Sequence, residues 1–191
     1  MKKLLVFVLT MLLLLCAVAE DRATLSKTVN DVQAVEVIVS ALTGEPVEIV
    51  IEQPEITEQV TAVVETFQKV LEDGGATIEC FKPEVQEKIA EKIPEVENLV
   101  INEIVPFSIK GYDKSVGDVE MVITFVTEFE PNQKIVIAVG VYADEVSEPE
   151  WYVLEAESQE NGSVKILFTE ECLEAMDTAF TTTLVVLNTA A

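Results

Sequence analysis

The chain has 191 residues, of which 49% are hydrophobic and 25% charged, so it can bury the core of one domain of ordinary size or of two small ones. Its 35 acidic side chains outnumber 12 basic ones, a net charge of -23 that argues against nucleic acid and anionic membrane surfaces as partners. Histidine is absent, which excludes Ser-His-Asp and Cys-His catalysis and the usual catalytic zinc sites.

Residues 1–19 have the three parts of a secretory signal peptide. Lys2 and Lys3 are followed by an apolar run up to Leu15, and Ala17-Val18-Ala19 has the small-x-small pattern that signal peptidase accepts. The run is shorter than the ~20 residues that span a membrane, and no later stretch qualifies as a transmembrane helix. We therefore predict an exported protein that is cleaved after Ala19.

An alternative export route involves Cys16. The run Leu13-Leu14-Leu15-Cys16 is similar to a bacterial lipobox, in which the cysteine would carry a lipid anchor. That motif has a small residue directly before the cysteine, where Leu15 stands here. Cleavage after Ala19 is therefore favoured, and a lipoprotein anchored at Cys16 is kept as the alternative.

The segment before the first clear helix contains three predicted elements. Residues 20–31 are polar and predict a short mobile lead-in. Residues 32–42 fit both a helical face and strand alternation, and the Gly44 and Pro46 that follow favour a helix. Residues 47–52 alternate apolar and acidic side chains, which predicts a half-buried strand.

Two amphipathic helices are predicted next. Apolar residues recur at helical spacing from Ile56 to Leu71, and Gly74-Gly75 ends the pattern. Residues 76–81 predict a short strand. Pro83 is well placed in the first turn of another helix, which Pro94 closes. Residues 32–98 are thus predicted to form a small αβαβα unit.

From Leu99 onward the pattern is that of strands. Pro106 indicates an edge strand or a bulge, and Asn161-Gly162 predicts a hairpin turn. The predicted strands cover residues 99–109, 119–125, 135–141, 151–156, 163–168 and 181–188, with a short helix over 170–176. This spacing predicts an antiparallel immunoglobulin-like β-sandwich over residues 99–191, and an α+β fold for the whole chain.

Three runs in this second half resemble a known module. They are Pro131-Asn132-Gln133-Lys134-Ile135-Val136-Ile137, Trp151-Tyr152-Val153-Leu154-Glu155-Ala156 and Gly162-Ser163-Val164-Lys165-Ile166. They are similar to the C-terminal immunoglobulin-like domains of secreted and surface proteins of gut-type Firmicutes. The resemblance implies an extracellular location and supplies no catalytic residue.

Carboxylates are the remaining candidate chemistry, and a glycosidase needs only two of them across a sugar. Aromatic residues make up only 6% of the chain, and Trp151 is its sole tryptophan. Trp151 and Tyr152 could stack on a sugar, but successive strand residues face opposite ways, and we expect Trp151 in the core. No phosphate loop or CxxC pair occurs, so no cofactor is predicted.

Two acidic runs are candidates for calcium. One contains Asp113, Asp118 and Glu120, and the other contains Asp144, Glu145, Glu148 and Glu150. Neither matches the EF-hand loop, and the ordinary interpretation of both is a solvated loop.

Cys80 and Cys172 are the cysteines left after signal cleavage. Export favours a disulfide, but both positions suit a small buried hydrophobic residue, so we predict two unpaired, poorly reactive thiols.

The sequence therefore predicts an exported, non-catalytic bacterial protein that acts as a cell-surface or extracellular binding or structural module. Its partner is an unknown protein or glycan, and no catalytic or cofactor-binding residue is assigned. The alternatives are a carboxylate-based extracellular hydrolase, similar to a glycosidase, and a calcium-binding adhesion module.

Overall fold

The computed structural model describes residues 38–41, 49–52 and 56–189 of the chain. The helices are α1 (Glu58–Glu72), α2 (Pro83–Lys92) and α3 (Glu170–Thr178). The strands are β1 (Ile38–Ala41), β2 (Val50–Glu52), β3 (Leu99–Pro106), β4 (Ser108–Lys110), β5 (Val119–Ile123), β6 (Lys134–Tyr142), β7 (Glu150–Ser158), β8 (Val164–Phe168) and β9 (Thr181–Thr189). The predicted signal peptide, Cys16 and the predicted lead-in lie outside the described residues.

Seven strands form one antiparallel sheet in the order β1-β5-β8-β7-β6-β9-β3, and β2 pairs with β4 in a separate two-stranded sheet. Helices and antiparallel strands thus occur together, and the predicted α+β class is confirmed. Within the described part of the chain, no helix is both long and apolar enough to cross a membrane.

The centre of the sheet is covered on both sides. Residues 135–142 of β6 and 181–188 of β9 are all buried. Because successive side chains of a strand point to opposite faces, each of these strands contributes to two separate cores.

One core lies on the face that packs against α3, β2 and β4, here called the α3 face. Its side chains are almost completely buried, and Phe107 stacks on Phe168 with ring centroids 6.3 Å apart. Cys172, Leu173 and Met176 of α3 are each 0% exposed. The α3 face is therefore closed to solvent over the centre of the sheet.

The other core lies on the α1–α2 face. Val60 and Phe67 of α1 and Ile89 of α2 pack in one cluster with Val136 of β6 and Leu187 of β9. The helices of the first half thus bury their apolar sides against strands of the second half. This cluster therefore contains residues from both sides of the predicted boundary at Leu99.

The predicted immunoglobulin-like sandwich is not confirmed. A sandwich buries its apolar residues between two facing sheets. Here all strands of residues 99–189 except β4 lie in one sheet. One face of that sheet packs against α1 and α2, and the other packs against α3 and the small β2–β4 sheet. The physical reason is the double-sided burial of β6 and β9, which requires a layer on each face.

Several local predictions are confirmed. Helix α1 begins after Thr57, whose Oγ1 accepts a hydrogen bond from the Val60 N–H at 3.4 Å, and α2 begins with Pro83. Strands β7 and β8 form the predicted hairpin, with Gly162 at φ 80°. Strand β3, which contains Pro106, lies at an edge of the sheet and has a register shift between Ile101 and Glu103.

Two local predictions are wrong. Residues 76–81 were expected to form a strand, but Thr77–Cys80 is a 3-10 turn, stabilised by a 2.8 Å hydrogen bond from the Ala76 N–H to the Glu79 carboxylate. A helix was favoured for residues 32–42, but Ile38–Ala41 is strand β1. This strand pairs with Val119–Val122, because β5 offers it a hydrogen-bonding edge.

Candidate ligand-binding groove

The helices leave part of the α1–α2 face open, and one opening lies beside α1. It is bounded by α1, by residues 80–82 and by the loop Ala143–Pro149 that joins β6 to β7. We call it the α1 groove. Its volume of about 500 Å³ falls within the ~300–1,000 Å³ that is typical of ligand pockets.

An aromatic cluster forms the base of the α1 groove. Trp151 stacks on Phe67 with ring centroids 6.4 Å apart and meets Phe81 edge-on at 5.4 Å. Gly140 lies directly opposite Trp151 on β6, and a Cβ atom there would stand 3.0 Å from two carbons of the indole. The missing side chain of Gly140 therefore gives the indole room to lie on the sheet.

The loop Ala143–Pro149 has a defined shape. The Asp144 carboxylate accepts hydrogen bonds from the N–H groups of Val146 and Ser147 at 2.9 and 2.7 Å, and the Ser147 hydroxyl accepts one from the Asp144 N–H at 3.1 Å. The side-chain amide of Gln59 on α1 donates to the Glu145 carbonyl at 2.8 Å. The loop is thus held against the helix as one wall of the groove.

The rim of the α1 groove is acidic. Glu58, Glu145 and Glu148 are exposed, and Lys82 is the basic residue among the described residues that line it. The Lys82 ammonium lies 2.5 Å from the Glu148 carboxylate, and the two side chains are 51% and 79% exposed. The hydrogen bond between them lowers the pKa of Glu148 and raises the pKa of Lys82.

Two further titratable groups line the groove, and both are neutral at physiological pH. Burial, with a smaller effect of Glu79, raises the pKa of the Cys80 thiol to about 12, and burial raises the pKa of Tyr142 to about 12. The Cys80 sulfur lies 3.9 Å from the Phe67 carbonyl oxygen. These groups supply contact surface to the groove rather than charge.

A second opening, here called the charged groove, lies on the same face beyond the end of α2. Its volume is about 420 Å³. Two ion pairs line it: Lys165 on β8 lies 3.4 Å from Glu120 on β5, and Lys92 at the end of α2 lies 3.3 Å from Glu155 on β7. Because its charges pair with one another, this surface has the character of a solvated sheet face.

Several of the carboxylates that the sequence suggested for calcium have structural partners. Asp113 accepts a hydrogen bond from the Ser115 N–H at 2.9 Å, and Asp118 accepts one from the Glu170 N–H at the start of α3, at 2.8 Å. Glu120 pairs with Lys165, and Asp144 shapes its own loop. Across residues 38–41, 49–52 and 56–189, no three Cys, Asp or Glu side chains form a group that could hold a metal ion.

Cys80 and Cys172 are free, as predicted, and they lie on opposite faces of the sheet. Cys172 packs in the closed core with its sulfur 3.8 Å from that of Met176. Burial, with a smaller effect of Glu171, raises its pKa to about 12. The sheet between Cys80 and Cys172 prevents the approach that a disulfide requires.

Trp151 and Tyr152 face opposite sides of the sheet, as strand geometry predicts, and both are half-buried. Trp151 packs against Phe67 and Phe81, as expected of a core residue. The same side chain also lines the α1 groove. Sequence reasoning missed Phe67 and Lys82 as groove residues, because only the fold brings them to Trp151.

The chain matches no protein-family model, no curated protein and no solved structure.

Proposed function

We propose that the protein is an exported, non-catalytic binding module that takes up its extracellular partner in the α1 groove. The observation that carries the proposal is the groove itself. A pocket of about 500 Å³ combines an aromatic base with a loop whose shape is fixed by its own hydrogen bonds. Preformed apolar pockets with a few polar groups at their rim are the usual form of ligand sites.

The carboxylates of this groove favour binding over hydrolysis. The general acid of a glycosidase needs a raised pKa, which proteins achieve by burying the carboxyl group. Glu58, Glu145 and Glu148 are exposed, and the pKa of Glu148 is lowered by Lys82. Their exposed state suits contact with a partner better than proton transfer.

The test is a glycan and protein binding array probed with the full chain, produced in a secreting bacterial host. Ala62 on α1 lines the groove, and its neighbour Thr61 is exposed outside it. Ala62→Phe narrows the groove, and Thr61→Phe is the matched control on the same helix. We expect partner binding to be lost in Ala62→Phe and kept in Thr61→Phe.

Two results contradict the proposal. Equal binding by the original chain and by Ala62→Phe would place the partner elsewhere on the surface. Release of sugar from an array glycan would establish the hydrolase instead.

Sequencing the N-terminus of the same recovered protein tests the export route. A chain that starts at Glu20 agrees with the proposed cleavage, whereas a lipidated Cys16 assigns the protein to the membrane-anchored class.

A further inference from the structure

An ion pair at the rim of the α1 groove indicates what kind of partner the groove can bind. The ion pair between Lys82 and Glu148 crosses the opening. It links the segment that follows the 3-10 turn to the loop Ala143–Pro149. Both side chains are largely exposed, and exposed ion pairs contribute little to stability. A competing cation can therefore replace Lys82 at Glu148 without disrupting the fold.

The surroundings of this pair favour a cationic partner. Glu58, Glu145 and Glu148 outnumber Lys82 around the groove, and the whole chain carries a net charge of -23. A field of this sign repels anionic molecules and raises the rate at which cationic ones arrive. An arginine offers Glu148 two parallel hydrogen bonds, which a lysine cannot form.

The base of the groove favours an apolar group next to that cation. Trp151, Phe67 and Val63 lie among its lining residues, and its volume of about 500 Å³ has room for a few side chains. The rim and the base together therefore match one apolar side chain flanked by basic ones.

We propose that the partner of the α1 groove is a basic segment of another protein. One of its apolar side chains packs against Trp151, and a neighbouring arginine or lysine displaces Lys82 from Glu148. This inference rests on the binding function proposed above and names the class of ligand.

The sole tryptophan of the chain makes this directly measurable, since Trp151 forms part of the groove. The probe is the peptide Gly-Arg-Leu-Arg-Gly, which contains no aromatic residue. Gly-Glu-Leu-Glu-Gly tests the charge, and Gly-Arg-Gly-Arg-Gly tests the apolar side chain. We expect a saturable change in Trp151 emission with the first peptide alone, and weaker binding at high salt, where exposed charges are screened.

Two variants distinguish competition between Lys82 and the ligand from a role of the Lys82–Glu148 pair in holding the loop. If Lys82 competes with the ligand, Lys82→Met tightens peptide binding roughly three-fold, whereas Glu148→Gln weakens it by about the same factor. The matched controls are Lys92→Met and Glu155→Gln, which remove a second Lys–Glu pair on this face and should leave the affinity unchanged.

Weaker binding in Lys82→Met would show that the pair only holds the loop in place, and would overturn the inference. An equal response to the acidic peptide would also overturn it. If no peptide binds but an array partner is still lost in Ala62→Phe, the ligand class is wrong and the binding function stands. If Ala62→Phe retains its array partner, the binding function itself fails.

Discussion

The two faces of the large sheet are built differently. On the α3 face, Phe107, Ile166, Phe168 and Leu173 are each at most 1% exposed, and they form a continuous core beneath α3. On the α1–α2 face, the helices cover part of the sheet and leave the α1 groove beside α1 and the charged groove beyond the end of α2. The same strands therefore serve a closed core on one side and accessible surface on the other.

This difference indicates how stability and binding are divided. A closed core tolerates little change in volume, because packed interiors have almost no spare space. A partly covered face leaves grooves between the helices and the strands of the sheet. We infer that the α3 face stabilises the sheet, and that the α1–α2 face is where a partner can bind.

The largest expected effect comes from two neighbours on β8 that point to opposite faces. Phe168 is 0% exposed on the α3 face, whereas Leu167 is 40% exposed in the charged groove. Phe168→Ala leaves a cavity and should lower the free energy of unfolding by about 3–5 kcal/mol. Leu167→Ala should change it by about 0.5 kcal/mol. Urea unfolding followed by circular dichroism measures both.

If both variants lose a similar amount of unfolding free energy, the two faces do not differ in how tightly they are packed. The pair is well matched, since both substitutions remove a large apolar side chain from adjacent positions of one strand.

A smaller effect is expected at the base of the α1 groove. In Gly140→Ala the new methyl group would lie 3.0 Å from the Trp151 ring and 3.1 Å from the Thr183 methyl group. Overpacking of this kind should lower the free energy of unfolding by about 1–3 kcal/mol and displace the indole. Chemical unfolding and the emission maximum of Trp151 report the two consequences.

Trp151→Leu provides the control for this prediction. If contact with the indole causes the loss of stability, Gly140→Ala should lower the free energy of unfolding by less than half as much in the Trp151→Leu background. Chemical unfolding followed by circular dichroism measures both values. If the loss of unfolding free energy is the same in that background, it arises from contact with Thr183 or from the strand itself.

The smallest effect concerns the two thiols, one on each face. The pKa of each thiol is raised from its usual value of 9.0 to about 12, so both stay protonated in the folded protein. The unfolded chain releases these protons first, so the free energy of unfolding should fall as the pH rises above about 9. At pH 8, iodoacetamide should react slowly with half-buried Cys80 and more slowly still with buried Cys172.

Intact mass after timed alkylation, with peptide mapping, distinguishes the two sites. Rapid labelling of Cys172 in the native protein would show that the α3 face opens readily. A species that accepts two alkyl groups only after reduction would reveal a disulfide.

Local sequence signals predicted much of the secondary structure correctly. Helix α1 follows from its apolar spacing, the β7–β8 hairpin from Asn161-Gly162, and the edge position of β3 from Pro106. Each of these features depends on residues close together in the chain. Such signals are decided by backbone geometry and need no knowledge of the tertiary structure.

The sheet arrangement was missed because the sandwich was predicted from the spacing of the strands and not from the composition of β6. Its run Ile135–Tyr142 contains no charged residue, and a continuous apolar run is typical of a strand buried on both faces. That signal pointed to helices on both sides of the sheet instead of a sandwich. The α1 groove was beyond sequence reasoning, because Phe67, Lys82 and Trp151 meet only through the tertiary fold.

The position of β9 in the sheet also has a consequence for the timing of folding. β9 lies between β6 and β3, and it is the ladder partner of β3 among the described strands. A growing chain makes β3 early but leaves it without a partner until residues 181–189 have been synthesised. Pairing between strands so distant in sequence is slow. The ladder of β3 is thus completed only after β9 has been synthesised, so this edge of the large sheet forms later than the β7–β8 hairpin.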